Sequence, residues 1–212
     1  MRHALEPFER PGDVSGIHQA YRNAGCDLIT TNSFGGSRFA LERHGLAGAV
    51  TELNRAAARV ARAAAGDGGW ILGDFLEPVG DVTADELRAV FRDQIAALLD
   101  GGADAILVET MSDPAEAIVG VEAAKTFTPA VSVIVTYAFQ KTAPGEFRTM
   151  MGTRAAKVVR RAIDAGAEIV GANCGTALSL DDYVELAGQP VAAAGKAMVI
   201  VQPNAGSRRT EN

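Results

Sequence analysis

Short apolar runs alternate with amphipathic stretches along this chain. Six runs of four to six residues are largely apolar, and polar or turn-forming residues bound them: 28–31, 70–73, 105–108, 131–136, 169–172 and 198–201. None shows the period-2 alternation of a strand with one wet face. Runs of this kind are typical of parallel strands that are covered on both faces. The pattern therefore predicts six buried strands.

Helical periodicity fills the segments around these runs: 14–24, 50–65, 83–99, a segment that opens at Asp113-Pro114, 153–165 and 180–194. Asp13 and Ser179 are suited to cap the first and the last of these helices. Thr83 and Glu86 have the spacing of a capping box. Pro190 predicts an interruption of the last helix, because proline lacks a backbone N–H.

One phrase recurs where three helices end: AGCDLI at 24–29, GADAIL at 102–107 and AGAEIV at 165–170. It indicates a helix closed by glycine, then an acidic residue, then a buried strand. Alternating helices and strands predict a parallel sheet with right-handed crossovers, either open or closed into a barrel. No glycine-rich phosphate loop follows a strand, which favours the barrel. The predicted fold is an α/β, TIM-type (βα)8 barrel, incomplete, with about six βα units visible.

Composition adds limits on class and partners. A length of 212 residues favours a single domain over 1–212, and two cysteines are too few for a disulfide scaffold. The net charge of −6 argues against a nucleic-acid partner. No apolar run reaches the roughly 18 residues of a membrane span, and the first residues lack the apolar centre of a signal peptide. We expect a cytoplasmic protein with small-molecule partners.

Polar side chains follow all six predicted strands at their carboxyl ends: residues 30–33, Asp74, Glu109 and Thr110, Thr136 and Tyr137, Asn173 and Cys174, and residues 202–204. Each alone is more often a turn residue than a ligand. In a (βα)8 barrel, however, these ends meet on the catalytic face, so six of them together predict an active site. Glu109 is the most informative, because a carboxylate at the end of a buried strand needs a partner. A salt bridge to a loop arginine is the structural alternative.

The two cysteines have different expected roles. Cys174 follows a strand and is expected to point into the mouth of the barrel, as a nucleophile, a soft-metal ligand or an inert thiol. Cys26 precedes a strand on the opposite face, where we expect a small buried hydrophobe that does not pair with Cys174. His3, His18 and His44 have no partner at metal-ligand spacing, so surface or loop positions are expected.

Four segments carry more specific motifs: 24–35 (AGCDLITTNSFG), 107–111 (LVETM), 170–175 (VGANCG) and 201–206 (VQPNAG). In this order and spacing they resemble the motifs of the homocysteine S-methyltransferase family. The resemblance extends from about residue 11 to the last residue. It implies transfer of a methyl group to the thiol of homocysteine, or to a related thiol or selenol. The donor stays open among S-methylmethionine, S-adenosylmethionine, betaine and a methylated corrinoid or folate system.

The resemblance also implies a zinc ion, which lowers the pKa of the substrate thiol and holds it as a thiolate. Cys174 matches one of three zinc-binding cysteines, and Glu109 matches the residue that holds the substrate amino group. These two are the implied catalytic residues. The other implied substrate contacts are Thr31, Asn32 and Ser33, which would face the amino-acid carboxylate, and Asn173 and Asn204, which would shape the site.

Three features of the family are missing from this sequence. They are the Asp-bearing first strand, a Cys-Cys pair after the eighth strand that supplies the other two zinc ligands, and several residues after Asp74. Either the sequence is an incomplete record of a longer protein, with the backbone interrupted near residues 10 and 74, or it is a truncated homologue. A truncated chain would expose two parallel edge strands and would need a partner to close, a second copy of itself included.

Three functions remain open at this stage. The first is methyl transfer to a zinc-bound thiol. The second is a non-catalytic or degenerate barrel subunit that binds a small amino acid or completes a partner, which the missing Cys pair favours. The third is a lyase or hydrolase with Cys174 as nucleophile, which ranks last because no histidine is placed to act as its base.

Overall fold

The structure is a computed structural model that describes residues 9–66, 69–75, 82–127, 131–143, 145–175 and 177–204, and only the backbone at 74 and 75. Eight strands lie in these ranges: β1 Leu28–Thr30, β2 Trp70–Phe75, β3 Ala105–Met111, β4 Ser132–Tyr137, β5 Gln140–Ala143, β6 Glu146–Arg148, β7 Ile169–Asn173 and β8 Met198–Gln202. Six of them form one parallel sheet in the order β1-β2-β3-β4-β7-β8. All six predicted strands are confirmed.

Helix α1 (Pro11–Asn23) precedes β1. The other helices lie between successive strands of this sheet: α2 Arg38–Glu42, α3 Val50–Ala65, α4 Ala84–Asp100, α5 Pro114–Lys125, α6 Ala155–Asp164 and α7 Leu180–Ala194. The predicted capping box at Thr83 is confirmed, with the hydroxyl of Thr83 accepting from the backbone N–H of Glu86. Ser179 caps α7 in the same way through Asp182. Each box satisfies backbone donors that the first helical turn leaves without an intrahelical partner.

The recurring phrase has a shared structural role. Its glycine has a positive φ in each copy, 94° at Gly25, 101° at Gly102 and 112° at Gly166, and thereby ends the preceding helix. In the second and third copies, the carboxylate that follows accepts a backbone hydrogen bond at the start of the preceding strand of the sheet. Asp104 accepts from the N–H of Ile71, and Glu168 accepts from the N–H of Val133, each over 2.8 Å. The phrase therefore connects the end of a helix to the start of the next strand and to the neighbouring strand of the sheet.

Apolar side chains lie on both faces of the sheet. The main core packs the outer face against the helices, and its largest fully buried members include Phe91, Ile95 and Leu98 of α4. A separate cluster lies on the other face: Leu72, Ala105, Leu107 and Ile134, with Ile169 and Ile200 packed against it. These six residues come from five strands, and they can contact one another only because the sheet curls around them. The fold is a curled half-barrel of six parallel strands, which confirms the predicted incomplete (βα)8 barrel.

In the part of the chain that the structure describes, β1 and β8 are the edge strands of the sheet and pair on one side only. The sequence predicts two such edges, because it lacks the segments that match the first and the last strand of a complete (βα)8 barrel. A cavity of about 610 Å³ lies at this opening, between α1, β1 and Gln202 at the end of β8. Large apolar side chains remain exposed here, among them Ile17 and Tyr21 of α1 and Met198 of β8. No helix in the described ranges is long and apolar enough to cross a membrane.

Several local predictions are wrong. Asp13 does not cap α1 but lies in its first turn, where it pairs with Arg10. Pro190 does not interrupt α7, because the buried side chains of that helix hold it to the sheet on both sides of the proline. The backbone is continuous through residues 9–66, so the interruption expected near residue 10 is not found, whereas the one expected near residue 74 borders residues 76–81, which lie outside the described residues. The antiparallel hairpin of β5 and β6 was not predicted.

Candidate functional site

Hydrogen bonds tie together the carboxyl ends of three strands. Asn173 of β7 donates from Nδ2 to Oγ1 of Thr110 on β3 over 2.7 Å, passing the end of β4 that lies between them. The backbone N–H of Thr110 in turn donates to Oγ1 of Thr136 on β4 over 3.3 Å. Asn173 and Thr136 are both buried. The curl of the sheet thus brings predicted strand-end residues into one cluster.

The backbone is strained at the same end of the sheet. Among the described residues other than glycine, a positive φ occurs at Thr110 (60°), Cys174 (44°) and Ala177 (55°). Thr110 is the next-to-last residue of β3, which has a register shift between Val108 and Met111, whereas Cys174 and Ala177 follow β7. A β-branched residue such as threonine rarely adopts this conformation, which costs on the order of 1–3 kcal/mol. Strain of this kind concentrates at functional sites, so it marks these strand ends independently of residue chemistry.

Glu109 and Cys174 lie at the edges of this cluster. Glu109 is half-buried on β3 and directly precedes Thr110, whereas Cys174 is exposed and directly follows Asn173. The loop after Cys174 is held by Gly175, whose N–H donates to the hydroxyl of Tyr183 over 2.7 Å. Asn204 is exposed, and its Nδ2 lies 3.5 Å from the carbonyl oxygen of Gly175. The end of β8 therefore reaches the loop that carries the thiol.

Two buried amide oxygens in this region have no hydrogen-bond partner within the described chain. They are Oδ1 of Asn173 and Oε1 of Gln202, and the two residues are register partners on β7 and β8. Leaving a buried acceptor unsatisfied costs about 1–3 kcal/mol, so such atoms usually face a ligand or a water. Acceptors in this arrangement suit a ligand that brings hydrogen-bond donors, such as an ammonium group.

The predicted segment after β1 forms a second part of the site. Thr31 and Ser33 are buried, and their hydroxyl oxygens lie 2.6 Å apart. Asn32 is half-buried and lines the 610 Å³ cavity together with Gln202. The cavity thus connects this segment with the end of β8.

Sequence reasoning missed three buried polar residues around this segment. His18 is buried on α1 and lines the cavity, which corrects its expected surface position; burial lowers the pKa of its imidazole. Gln94 of α4 and Asn54 of α3 are buried as well, and both hydrogen-bond to the backbone of the loop after β1. The available signal was a polar residue inside the apolar stripe of each helix. Cys26 is half-exposed, not fully buried as expected, because it lines the open cavity.

Two ionisable groups near the end of β3 are perturbed by burial. Desolvation and the nearby carboxylate of Asp113 raise the pKa of Glu116, on the first turn of α5, to about 6. Burial also raises the pKa of Tyr137, the last residue of β4, above its ordinary value. Groups with shifted pKa values are more common at functional sites than elsewhere. Glu116 and Tyr137 lie at the same end of the sheet as the strained backbone.

The described residues do not fit the implied zinc ion. No group of three or more His, Cys, Asp or Glu side chains within them could hold a metal. The whole sequence contains two cysteines, and Cys26 precedes β1 whereas Cys174 follows β7, at opposite ends of parallel strands. A tightly held zinc ion needs about four ligands, with three from the protein in catalytic sites. Cys174 alone does not supply them.

Comparison of the sequence with known proteins identifies a family and two similar proteins. The family model described as homocysteine S-methyltransferase matches residues 2–212. The methionine synthase of Mycobacterium tuberculosis is 28% identical over 181 residues, which cover 79% of this chain and 15% of that protein. The methionine synthase of Mycobacterium leprae is 27% identical over 182 residues with the same coverage. The chain therefore spans about 15% of the length of these relatives.

Structural comparison supports the same architecture. The metallated form of the homocysteine methyltransferase MmuM from Escherichia coli superposes with a TM-score of 0.82 at 21% identity. That match covers 96% of this chain and 76% of the other. A type I 3-dehydroquinate dehydratase from Clostridium difficile superposes with a TM-score of 0.55 at 14% identity, over 92% of this chain and 72% of the other. At these identities both likenesses concern the fold alone.

Proposed function

Because the chain belongs to the homocysteine S-methyltransferase family, we propose that it transfers a methyl group from an activated donor to the thiol of homocysteine or of a related thiol or selenol. The product is methionine or its analogue. Residues 1–212 act as one barrel domain in this proposal, with small molecules as substrates. Cys26 and Cys174 form no disulfide, which suits the reducing cytoplasm where we place the reaction.

The unpartnered oxygens of Asn173 and Gln202 carry this proposal. A substrate with an α-ammonium group supplies the donors that both oxygens lack. Glu109 adds a negative charge on β3, one residue from the threonine to which Asn173 is bonded. A carboxylate beside neutral acceptors selects an ammonium group over a neutral amine, because a charged hydrogen bond is roughly twice as strong as a neutral one.

The segment Thr31, Asn32 and Ser33 receives the opposite end of the amino acid in this proposal. Hydroxyl and amide groups can donate hydrogen bonds to a carboxylate without placing a full charge in the site. With both ends held, the side chain of the substrate is directed towards Cys174 and Asn204. We assign no step to zinc on this chain, since the described residues do not form its site.

Turnover of purified protein tests the proposal. L-Homocysteine is supplied with each candidate donor in turn, S-methylmethionine and S-adenosylmethionine first, and methionine is measured by mass spectrometry. We expect homocysteine-dependent methionine from the wild type and a large loss for Cys174→Ala and Glu109→Gln. Glu122→Gln is the matched control for Glu109→Gln, because Glu122 lies on the outer surface of α5.

A second candidate function is a non-catalytic barrel subunit that binds a small amino acid or completes a partner. The absence of a metal-binding group among the described residues favours it. The same assay separates the two functions. A folded wild type that binds L-homocysteine but forms no methionine with any donor supports the subunit, whereas turnover that depends on Cys174 supports the enzyme.

A further inference from the structure

Two buried amide side chains hold the loop that follows β1. Gln94 Nε2 donates to the carbonyl oxygen of Ser33 over 2.9 Å and to Oδ1 of Asn54 over 3.0 Å. Asn54 Nδ2 donates to the carbonyl oxygens of Gly36 and Val50, each over 2.8 Å. Gln94 and Asn54 are at most 1% exposed. Together they form an amide clamp, Gln94–Asn54, that connects α3 and α4 to this loop.

The orientation of both amides follows from their neighbours. The nitrogen of Gln94 is surrounded by two acceptors, and the nitrogen of Asn54 is surrounded by two carbonyl oxygens. Flipping either group would bring acceptor against acceptor. The clamp therefore has one arrangement, and it specifies one position for the carbonyl groups of Ser33 and Gly36.

The loop is shaped to receive the clamp. A Cβ added at Gly36 would overlap Oδ1 of Asn54 and would lie 2.9 Å from the carbonyl oxygen of Ser33. The N–H of Gly36 donates to that same carbonyl over 2.8 Å, which closes a tight turn. A residue larger than glycine would thus displace the amide of Asn54. The fit at this position shows that loop and clamp depend on each other.

We propose that Gln94 and Asn54 are positioning residues for substrate binding, which set the affinity of the site for the carboxylate of its amino-acid substrate. This inference rests on the proposed function, in which Thr31, Asn32 and Ser33 face that carboxylate. The clamp fixes Ser33 directly, and Ser33 fixes Thr31 through their paired hydroxyl groups. Ordering these donors before the substrate arrives lowers the entropy that binding must overcome.

Calorimetric binding of two ligands tests this role. One is L-homocysteine, and the other is 3-aminopropanethiol, which has the same thiol and amino group but no carboxylate. We expect Gln94→Leu to weaken the binding of L-homocysteine about tenfold, because the loop loses one to two hydrogen bonds that order it. The affinity for 3-aminopropanethiol should change by less than about twofold, because its binding does not use the loop.

A purely structural role of Gln94 would weaken both ligands alike. Gly36→Ala breaks the clamp from the loop side and should reproduce the selective loss, so the test does not depend on one variant folding well. Gln189→Leu is the matched control, because its side chain bonds to Gly145 on the hairpin side of the chain. Hydrogen exchange of residues 33–37 provides a ligand-free readout and should become faster in Gln94→Leu.

The possible outcomes distinguish a failure of the inference about the clamp from a failure of the proposed function. If wild type binds L-homocysteine and Gln94→Leu and Gly36→Ala bind it equally well, the inference is overturned and the proposed function stands. An equal loss for both ligands also overturns it. If the wild type binds neither ligand, the proposed function fails and this inference fails with it.

Discussion

Replacing Gly171 by alanine tests the close approach of β7 and β8, on which the neighbouring position of Asn173 and Gln202 depends. Gly171 lies in the middle of β7 and is paired with Ile200. A Cβ built at Gly171 overlaps the carbonyl oxygen of Ile200, and it lies 2.8 Å from the carbonyl carbon and 3.0 Å from Cγ2 of that residue. The obstacle is backbone, so no side-chain rotation can relieve it.

The expected cost is about 3 kcal/mol, the upper part of the range for overpacking a well-packed site. The backbone of β8 must move away, which also lengthens the hydrogen bonds of the five registered residue pairs between the two strands. For a chain of this length, each kcal/mol corresponds to about 2–4 °C in Tm. Gly171→Ala should therefore lower Tm by roughly 6–12 °C.

Gly188→Ala provides a control with the same chemical change and the opposite sign. Gly188 is exposed in α7, and an added Cβ meets no atom within 4 Å. Alanine in a helix is favoured over glycine by about 0.5–1 kcal/mol, so this variant should be slightly more stable than wild type. Both are measured by urea denaturation and thermal melts. A Gly171→Ala variant as stable as wild type would refute the close approach of β7 and β8.

Three further changes test separate parts of the structure. Since the pKa of Glu116 is raised from 4.5 to about 6, its ionised form destabilises the fold and stability falls as pH rises through that window. Glu116→Gln should be more stable than wild type by about 1 kcal/mol at pH 7, after allowance for solvent screening, and the gap should narrow as pH falls and close below pH 4.5, where the carboxyl group is protonated in both states. A gap that does not change with pH would contradict this. Cys174→Gly should be more stable than Cys174→Ala by about 1 kcal/mol in chemical denaturation, because glycine adopts a φ of 44° without strain; equal stability would count against the strained loop. Thr83→Ala should cost about 1 kcal/mol through loss of the capping box, and an unchanged melting curve would argue against that cap.

The elements of this fold could be predicted because their signals are local. Apolar runs without alternation identified the six parallel strands, and cap residues such as Thr83 and Ser179 identified helix starts. The β5–β6 hairpin was missed because β5 is exposed throughout and carries no apolar period. Helix α2 was missed because five residues are too few for a periodicity to be visible. The burial of His18 was missed because it depends on how α1 meets the sheet edge, and a polar residue within the apolar stripe of α1 was its only local signal.

The candidate site was predictable to the level of strand ends but not of contacts. Because the carboxyl ends of parallel strands lie on one face of a barrel, the sequence predicts that Glu109, Asn173 and Cys174 lie near one another. The bond from Asn173 to Thr110 joins residues 63 positions apart, and that from Gln94 to Ser33 joins residues 61 apart. Contacts at such separation arise from the curl of the sheet and the packing of helices on it, and no local pattern encodes them.

Binding of L-homocysteine to wild type and to Glu109→Gln tests the central claim most directly, namely that the ends of β3, β7 and β8 hold an amino-acid thiol. Calorimetry at one pH, with Glu122→Gln as control, gives the two dissociation constants. Wild type and control should bind alike, and Glu109→Gln should bind at least about tenfold more weakly, since a charge-assisted hydrogen bond is lost. Equal affinity of Glu109→Gln and wild type, or no binding by the folded wild type, would contradict the claim.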